Sequence, residues 1–592
     1  MADHIEDVSQ ERDALRPDFR KRRRSHSTFS RKSIPFLFPG ESIDDNIVQS
    51  GLERHLSLLD LVAIGIGGTI GSGLFVLAGL VAHEYAGPSA VWSWAVAGVA
   101  ALISGCCYAE LSARIPLSGS AYAYTFVAMG EWPAFLAAIC LSLEYIAAGA
   151  AVSRSWGDKL AWWLLEAFPE RWELSLKTLF NIGGNLSPLA FCISTASVAL
   201  VLRGVKESKR ATNVITSIKV SLVMVMIVVG SFHVRPSNWR PMFPFGASGM
   251  LRGATSTFFG YLGYDQVCGL AGEAMRPQRD MPLAILITLV FVTFIYMIAT
   301  LVLTGMQDWR EISSVSGFPT AFYANHADWA GELTALGEIL TLPLVILVQV
   351  LVQPRLQHAM AEDGLLPHIF GELNENGNIW KGTVISGSIT ILIATGVQFS
   401  HLNDIISCAV LIALSLTDSS LILLWHEAPD PESNFARCLV LAFNVVAFLM
   451  SSVLVSYMET TWGRALSTAL LCILGGLVYA ITNHCPRTAV FGGSRHRYHE
   501  EQLLREQNFF RTPGVPFLPC LGIFINWYLV AQIDAESIGL LLLILGLSSF
   551  YYFRCKGRRS SRDSEASPGD GPVQEIEAPY HSTSGNASSL IL

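Results

Sequence analysis

Charged residues are scarce in this chain. Of its 592 residues, 51% are hydrophobic and only 15% are charged, and the mean hydropathy is +0.42. Soluble domains carry about 25% charged residues, so this composition excludes a string of soluble domains and predicts a polytopic membrane protein. The formal net charge of −8 adds little, because the acidic residues lie mostly in tails and loops.

Motifs of enzyme and pump chemistry are also missing. The sequence contains no phosphate-binding loop, no cluster of metal-ligating residues and no nucleophile triad. We therefore expect no catalytic residues, no metal, no cofactor, no ATP-driven transport and no nucleic-acid partner. The 11 cysteines show no ligand spacing. No apolar run follows Met1, which argues against a cleavable signal peptide.

The stretch from Leu58 to Ala82 is the most informative feature that is present. It is apolar and about long enough to cross a bilayer, yet it carries glycines at positions 65, 67, 68, 71 and 73. Each glycine costs roughly 1 kcal/mol against alanine in a helix interior. Either these glycines admit a closely packed neighbouring helix, or the helix is interrupted.

An interruption fits the position of the last glycines better. A helix from Leu58 to Ile70 would be about 20 Å long. The sequence Gly71-Ser72-Gly73 would then lie near the middle of a hydrocarbon core about 30 Å thick. Unwound backbone is tolerated at that depth only where it lines a cavity. We therefore predict two half-helices that meet at a buried polar site.

The hydropathy pattern predicts about 14 membrane spans. We number them spans 1 to 14, at residues 58–82, 89–111, 132–156, 188–204, 212–233, 250–272, 282–304, 332–353, 383–398, 403–425, 437–457, 465–482, 516–532 and 537–553. We expect a disordered basic cytosolic tail at 1–51, a ten-helix transport core at 52–426, four additional helices at 427–556 and a disordered cytosolic tail at 557–592. The basic run in the first tail suits contact with anionic membrane lipid.

The loops predict the orientation of the chain. With the N-terminus inside, basic loops should follow even-numbered spans, and lysines and arginines do cluster after spans 4, 6, 8, 12 and 14. Both termini are then cytosolic. Asn185 begins a sequon in a predicted external loop and is a candidate glycosylation site, although Pro188 weakens the signal. We expect the plasma membrane, with a vacuolar or lysosomal membrane as the alternative.

Span 6 repeats the pattern of span 1. It carries Gly260 and Gly263 in mid-membrane, followed by Asp265. Spans 1 and 6 each open a set of five helices. A pair of glycine-interrupted spans at matching positions indicates a transporter with inverted repeats.

The direction of the half-helices predicts the ligand. The outer half of span 1 begins at Ser72-Gly73 and would direct N–H groups and a positive dipole end at the centre. The half-helices that end near Thr69 and Phe259 would offer carbonyl groups. Both signs together match a zwitterionic amino acid, whereas an inorganic ion would not need both.

Several longer motifs accompany the two interrupted spans. They are DLVAIGIGGTIGSGLFVLAG and ARIPLSGSAYAYTFVAMGE early in the chain, FFGYLGYDQVCGLAGEAMRPQRDMP at span 6, PRLQHAMAEDGLLP after span 8 and VPFLPCLGIFINWYLVAQI at span 13. Over roughly residues 52 to 555, the chain resembles the cationic amino acid transporter (CAT) branch of the amino acid–polyamine–organocation (APC) superfamily. The resemblance implies an all-α, five-plus-five inverted-repeat (LeuT-like) fold with its core in spans 1 to 10.

The same resemblance implies where a substrate binds. The substrate backbone would lie at the two breaks, at Thr69, Gly71, Ser72, Gly73, Phe259, Tyr261, Leu262 and Gly263. Phe259 occupies the place of an aromatic gate in related transporters, or it is a core phenylalanine. Lys219 in span 5 resembles a replacement for a sodium ion beside the break in span 1, or it reaches back to the cytosol.

Three carboxylates within spans are candidates for coupling or specificity, because charges are rare in a membrane interior. Glu144 in span 3 is a substrate or proton site, or an anchor between helices. Asp265 faces the pocket, or it bonds the loose backbone of span 6. Glu338 in span 8 contacts the substrate side chain, or it is a solvated charge in the outer vestibule. Asp418 in span 10 has no role that the sequence explains.

The sequence thus predicts an amino acid permease that works by alternating access. The expected substrates are cationic amino acids such as arginine, lysine and ornithine. Transport would be driven by membrane potential as uniport or coupled to protons as symport. The alternatives are a permease for neutral amino acids or polyamines, and a non-transporting amino acid sensor on the same scaffold.

Overall fold

The computed structural model describes residues 55–116, 119–167, 186–204, 209–374, 378–426, 434–488, 491 and 509–565. For Ser72 and for residues 209–212 and 555–565 it describes the backbone only. The predicted first tail, Asn185 and residues 566–592 lie outside the described part of the chain. We call the side on which span 1 begins inner and the opposite side outer.

Each predicted span coincides with a helix or, at spans 1 and 6, with two helices. In chain order the spans are Leu58–Ser72 with Leu74–Leu80, Ala90–Arg114, Glu131–Ala167, Pro188–Leu202, Lys209–Ser231, Gly246–Thr257 with Tyr264–Gly269, Pro277–Met306, Asp328–Glu362, Trp380–Gly396, Phe399–Trp425, Phe435–Tyr457, Thr461–His484, Phe517–Val530 and Ala535–Glu565. The last helix continues to Glu565, past the predicted boundary at residue 556.

Shorter elements connect the spans. A π-helical turn, Val81–Ala86, ends span 1. Two short α-helices lie at Ala121–Met129 and Gly317–Ala324, and 3-10 turns lie at Gly87–Ser89, Pro236–Trp239, Phe258–Tyr261, Ala271–Glu273 and His368–Phe370. Within the described residues, β-structure is limited to two isolated bridges.

Not every span satisfies a simple criterion of length and hydropathy. In the described ranges nine helical stretches do, and one of these, Leu58–Arg114, contains spans 1 and 2 together. Spans 4 and 13 are shorter apolar helices, span 6 is broken, and span 9 has 17 residues. The 14-span pattern therefore depends on reading broken and short helices as membrane spans.

Burial separates the central helices from the peripheral ones. The most apolar windows of spans 3 and 10 are 78% and 83% buried, whereas those of spans 11, 12 and 14 are 28%, 17% and 11% buried. Span 2 packs closely along span 7, and span 3 packs along spans 8 and 10. The centre of the molecule is thus built from spans 1 to 10, and most of the C-terminal helices lie outside it.

The inner ends of spans 1 and 6 are joined. The backbone N–H groups of His55 and Leu56 donate to the Glu273 carbonyl at 3.0 and 3.1 Å, and the Met275 N–H donates to the Leu56 carbonyl at 2.9 Å. Leu56 and Ala274 form a parallel bridge. Because backbone bonds fix both segments, the inner halves of the two interrupted spans form one structural unit.

Candidate functional site

The break in span 1 lies where the glycines predict it. Ile70 leaves the helical region with ψ 112°, and Gly71 has φ 142° and ψ −71°. A residue with a Cβ rarely adopts this positive φ. The Gly73 N–H still donates to the Thr69 carbonyl at 3.3 Å, and the outer half-helix begins at Leu74.

The break in span 6 has the same character. The outer half ends in the 3-10 turn Phe258–Tyr261. Leu262 is extended with ψ 138°, and Gly263 has φ 132°. The inner half-helix then begins at Tyr264. Both interruptions are therefore short, and each depends on a glycine with a positive φ.

The two breaks face each other. The Tyr296 hydroxyl of span 7 donates to the Thr69 carbonyl at 2.7 Å and to the Gly260 carbonyl at 3.1 Å. A Cβ on Gly260 would lie 2.9 Å from the Gly73 Cα, and one on Gly263 would lie 2.8 Å from the Thr69 amide nitrogen. The two half-helix pairs thus form one buried centre, and Tyr296 joins them.

Lys219 lies beside the break in span 1. Its side chain is 1% exposed, and its Nζ donates to the Gly67 carbonyl at 2.9 Å. A Cβ on Gly71 would lie 3.3 Å from the same Nζ. One turn away, the Thr216 hydroxyl donates to the Ala63 carbonyl at 3.2 Å. In this conformation Lys219 therefore points into the site and does not extend to the cytosol.

Asp265 bonds the loose backbone of span 6. Its Oδ1 accepts the Gly263 N–H at 3.0 Å, and its Oδ2 accepts the Tyr145 hydroxyl of span 3 at 3.0 Å. The Glu144 carboxyl lies against that of Asp265. Glu144 is 2% exposed, and its Oε1 has no hydrogen-bond partner among the described residues. Spans 3 and 6 therefore bring two carboxyls together directly beneath the second break.

Glu338 is not a solvated charge. Its side chain is 2% exposed, and its Oε2 lies 2.6 Å from the Lys159 Nζ. Lys159 also donates to the Val315 carbonyl at 2.7 Å. The pair joins the outer parts of spans 3 and 8. The expectation of an exposed carboxylate in the outer vestibule is wrong, because Lys159 neutralises Glu338 within the protein.

Phe259 lies on the outer side of the centre. It is fully buried, and its ring centroid is 6.3 Å from that of Phe399 in span 10. Phe399 borders an outer cavity of about 500 Å³ whose polar wall includes Arg154 and Asp158. The two rings therefore lie between the break in span 6 and the outer cavity, where a gate would have to be.

A smaller cavity of about 50 Å³ adjoins the centre on the inner side. Gly67, Lys219 and Gln266 line it together with residues of span 8, including Gln349 and Arg355. The Gln266 Nε2 and the Gln349 Oε1 have no hydrogen-bond partner among the described residues. Polar atoms are thus available on the inner side of the breaks.

Three further residues of the predicted site are Tyr261, Leu262 and Ser72. The Tyr261 hydroxyl donates to the Trp94 carbonyl of span 2 at 2.7 Å, and its ring centroid lies 5.8 Å from that of Tyr296, so this side chain packs beside the centre. Leu262 is 2% exposed, and it contributes its extended backbone to the break. For Ser72 only the backbone is described, and it follows the two non-helical residues of the break, Ile70 and Gly71.

Comparison with known proteins identifies the family. Residues 56–478 match the family model described as amino acid permease, and residues 510–560 match the model of its C-terminus. Cationic amino acid transporter 4, vacuolar, of Arabidopsis thaliana is 32% identical over 551 residues, which cover 85% of this chain and 92% of that protein. The chain belongs to the amino acid permease family, in its cationic amino acid transporter branch.

Other relatives span a similar length. Cationic amino acid transporter 4 of Homo sapiens is 30% identical over 89% of this chain and 91% of its own length. The methylthioribose transporter of Bacillus subtilis is 33% identical over 74% of this chain and 96% of its own length. The permease is accordingly an all-α multi-pass membrane protein with the five-plus-five inverted repeat, and the predicted fold class is confirmed.

Sequence reasoning missed several residues of the candidate site. Tyr296 and Phe399 are aromatic residues in ordinary apolar runs, and nothing in the sequence distinguishes them. Gln349 is a polar residue within an apolar span, which was an available signal. Lys159 lies three residues past the predicted end of span 3 at residue 156, and only the longer helix Glu131–Ala167 places it in that span.

Proposed function

We propose that this permease carries cationic amino acids by alternating access and holds the substrate backbone at the facing breaks of spans 1 and 6. The observation that carries this proposal is the single buried centre formed by the two breaks around Tyr296. The outer half-helix of span 1 presents its N-terminus there, which suits a carboxylate, and the half-helices that end near Thr69 and Phe259 present their negative dipole ends, which suit an ammonium group. In this conformation the Thr69 carbonyl accepts the Tyr296 hydroxyl and the Gly73 N–H, so an ammonium group would replace one of these donors.

A cationic side chain would need further acceptors, because a buried charge without a partner is too costly. Glu144 and Gln349 supply them. Each has a buried Oε1 without a partner in the described part of the chain. The Cβ of Gln349 lies 3.5 Å from the position of a Cβ on Gly149, little more than one turn along span 3 from Glu144. We assign the side-chain pocket to this region.

Glu338 is a weaker candidate for the same role. Its partner Lys159 already satisfies it at 2.6 Å, so a cationic substrate would have to compete with a lysine that belongs to the protein. Removing one member of a buried pair leaves the other uncompensated. We therefore propose a structural role for Glu338 and a specificity role for Glu144.

Proton coupling is supported by two separate features. Lys219 donates to a backbone carbonyl, that of Gly67, and its ammonium group lies beside the break. Glu144 and Asp265 are adjacent carboxyls in the protein interior, where two like charges repel strongly. We propose that one proton is shared by this pair in the conformation described and that Lys219 exchanges another during the cycle. Both termini are placed in the cytosol in this proposal.

Uptake by proteoliposomes tests the proposal. The purified permease is assayed with radiolabelled lysine, arginine and neutral amino acids under a set pH gradient. Glu144→Gln should weaken lysine binding by about 2–5 kcal/mol, as for one partner of a buried charged pair, and leave the uptake of neutral amino acids nearly unchanged. Glu338→Gln should lower the uptake of lysine and of neutral amino acids in parallel. Equal losses in Glu144→Gln would contradict its specificity role.

A permease for uncharged substrates is the second candidate. The similarity to a relative named as a methylthioribose transporter favours it, and so does the engagement of Asp265 with Gly263 and Tyr145. The same substrate panel separates the two candidates. Saturable uptake of neutral amino acids that lysine and arginine fail to inhibit would establish this second candidate and refute cationic transport.

A further inference from the structure

Arg252 occupies an unusual position in the outer half of span 6. Its Nη2 lies 2.9 Å from the Asp404 Oδ2 and 3.0 Å from the Asp534 Oδ2. Its Nη1 donates to the Gln532 carbonyl, and its guanidinium carbon lies 5.7 Å from the centre of the Tyr85 ring. A single side chain therefore contacts three separate segments of the chain.

The three segments all lie on the outer side of the molecule, in spans 1 and 10 and after span 13. Tyr85 lies in the π-helical turn that ends span 1, and Asp404 lies in the outer part of span 10. Gln532 and Asp534 form the connection between spans 13 and 14. A second bond follows the same route, since the Thr255 hydroxyl donates to the Leu529 carbonyl at 3.1 Å. The C-terminal helices are thus bonded directly to the outer half of span 6.

The electrostatics favour a specific connection. The Arg252 side chain is 16% exposed and that of Asp404 is 9% exposed, whereas that of Asp534 is 73% exposed. Charge-assisted hydrogen bonds are stronger than neutral ones, and they gain strength where water is excluded. Arg252 therefore remains close to Asp404, and Asp534 closes the contact from the solvent side.

Arg252 and Phe259 belong to the same half-helix of span 6. Arg252 lies seven positions before Phe259, about 10 Å along a helix at about 1.5 Å per residue. A tilt of this half-helix would move Phe259 relative to Phe399. The π-helical turn at the end of span 1 is a kind of segment found often at functional sites. Arg252 and the aromatic pair Phe259 and Phe399 are thus connected through one half-helix.

We propose that Arg252 is a positioning residue of the external gate and that the connection between spans 13 and 14 is part of this gate. Closure pairs Arg252 with Asp404 and Asp534, and opening separates Arg252 from Asp534 as the outer half of span 6 tilts. The inference rests on alternating access as proposed above. It does not depend on which amino acid is carried.

Cysteine labelling tests the gate without a substrate. Val76 lines the outer cavity on span 1 and is 4% exposed, so Val76→Cys reports opening by its reaction with a membrane-impermeant maleimide. Asp534→Asn should raise the labelling rate about 1.4- to 5-fold, since an exposed ion pair contributes about 0.2–1 kcal/mol. Arg252→Gln should raise it at least as much. The chain without Val76→Cys supplies the background.

A matched control and a double variant make the test specific. Arg310 pairs with Asp308 on the same side at 3.8 Å, and both are exposed, so Arg310→Gln should leave the rate unchanged. Adding Asp534→Asn to Arg252→Gln should have no further effect. The gate proposal would be overturned if Asp534→Asn and Arg310→Gln gave equal labelling rates. It would also be overturned if the two substitutions of the double variant multiplied each other's effect on the labelling rate. If labelling responds as expected while lysine uptake is absent, the substrate assignment fails and the gate stands.

Discussion

Gly73 and Gly260 lie against each other where the two interrupted helices meet. A Cβ on Gly73 would lie 2.2 Å from the Tyr296 hydroxyl and 2.8 Å from the Gly260 carbonyl oxygen. Gly73→Ala should therefore displace Tyr296 from both breaks and abolish saturable uptake while the protein still reaches its membrane. Uptake kinetics in vesicles measure this effect.

The control for this prediction is another helical glycine. A Cβ on Gly475 in span 12 would meet nothing within 4 Å. Gly475→Ala should transport like the unmodified protein. If Gly73→Ala has an unchanged KM and maximal rate, the substrate site does not lie at the break in span 1.

Lys219 is the second residue whose replacement should have a specific outcome. Lys219→Ala removes the ammonium group that bonds the Gly67 carbonyl. We expect uptake that no longer responds to an imposed pH gradient, while exchange of internal for external substrate continues. Lys381→Ala is the matched control, because Lys381 pairs with Glu372 in the loop after span 8. A wild-type protein indifferent to the pH gradient would make the permease a uniporter.

At the scale of elements, the contact of spans 2, 10 and 13 explains Asp418. Its Oδ2 accepts the Ser104 hydroxyl at 2.9 Å and the Asn526 amide at 3.3 Å. A Cβ on Gly522 would lie 2.6 Å from the same oxygen, so span 13 approaches closely. The carboxyl is fully buried. It serves as a polar joint between the core and the C-terminal helices.

The buried hydrogen bonds of Asp418 predict that its variants differ in thermal stability. Asp418→Asn keeps an oxygen for Ser104 and should change the melting temperature in detergent only slightly. Asp418→Leu leaves the Ser104 hydroxyl proton without an acceptor, at about 1–3 kcal/mol, while the Asn526 amide still donates to the Ser104 Oγ at 3.2 Å; this variant should clearly lower the melting temperature. Thr482→Leu on the exposed side of span 12 is the control. Equal destabilisation by Asp418→Asn would show that the charge itself is needed.

The joined inner ends of spans 1 and 6 belong to the same scale. Three backbone hydrogen bonds connect residues 55–56 with residues 273–275. Backbone bonds are independent of side-chain identity, and the short 3-10 turn at Ala271–Glu273 positions the segment. Any inward opening must therefore move both inner half-helices together.

At the scale of the whole molecule, the C-terminal helices contact the core at three depths. Asp534 pairs with Arg252 on the outer side, and Asn526 bonds Asp418 in the middle. On the inner side the Thr512 N–H donates to the Glu110 carboxylate at 2.7 Å. That carboxylate also accepts from Arg114 and from Trp425. Spans 13 and 14 therefore help to hold spans 2, 6 and 10.

Truncation tests this arrangement. A chain that ends after Thr488 loses all three contacts and exposes the buried Glu110 and Asp418, so it should aggregate or melt early on fluorescence size-exclusion chromatography. A chain that ends after Glu565 keeps every described contact and should elute and transport normally. A monodisperse, active short chain would contradict the proposed role of the last two spans.

The spans and the two breaks could be predicted from the sequence because their causes are local. A run of apolar residues determines whether a segment can cross a bilayer, and the backbone of Gly71 and Gly263 adopts positive φ values that other residues rarely adopt. Lys219 and Asp265 could be nominated for a related reason, since an ionisable residue within an apolar span is itself a signal.

Tertiary structure alone decided which groups meet. Lys159 lies 179 positions from Glu338, and Arg252 lies 152 and 282 positions from its two carboxylates. Glu338, which the sequence nominated for substrate binding, is paired with Lys159 in the structure. Asp418, which the sequence did not explain, bonds spans 2 and 13. The rotation of each helix about its axis determines these pairings. That rotation depends on the packing of all neighbouring helices at once, so the local sequence does not specify it.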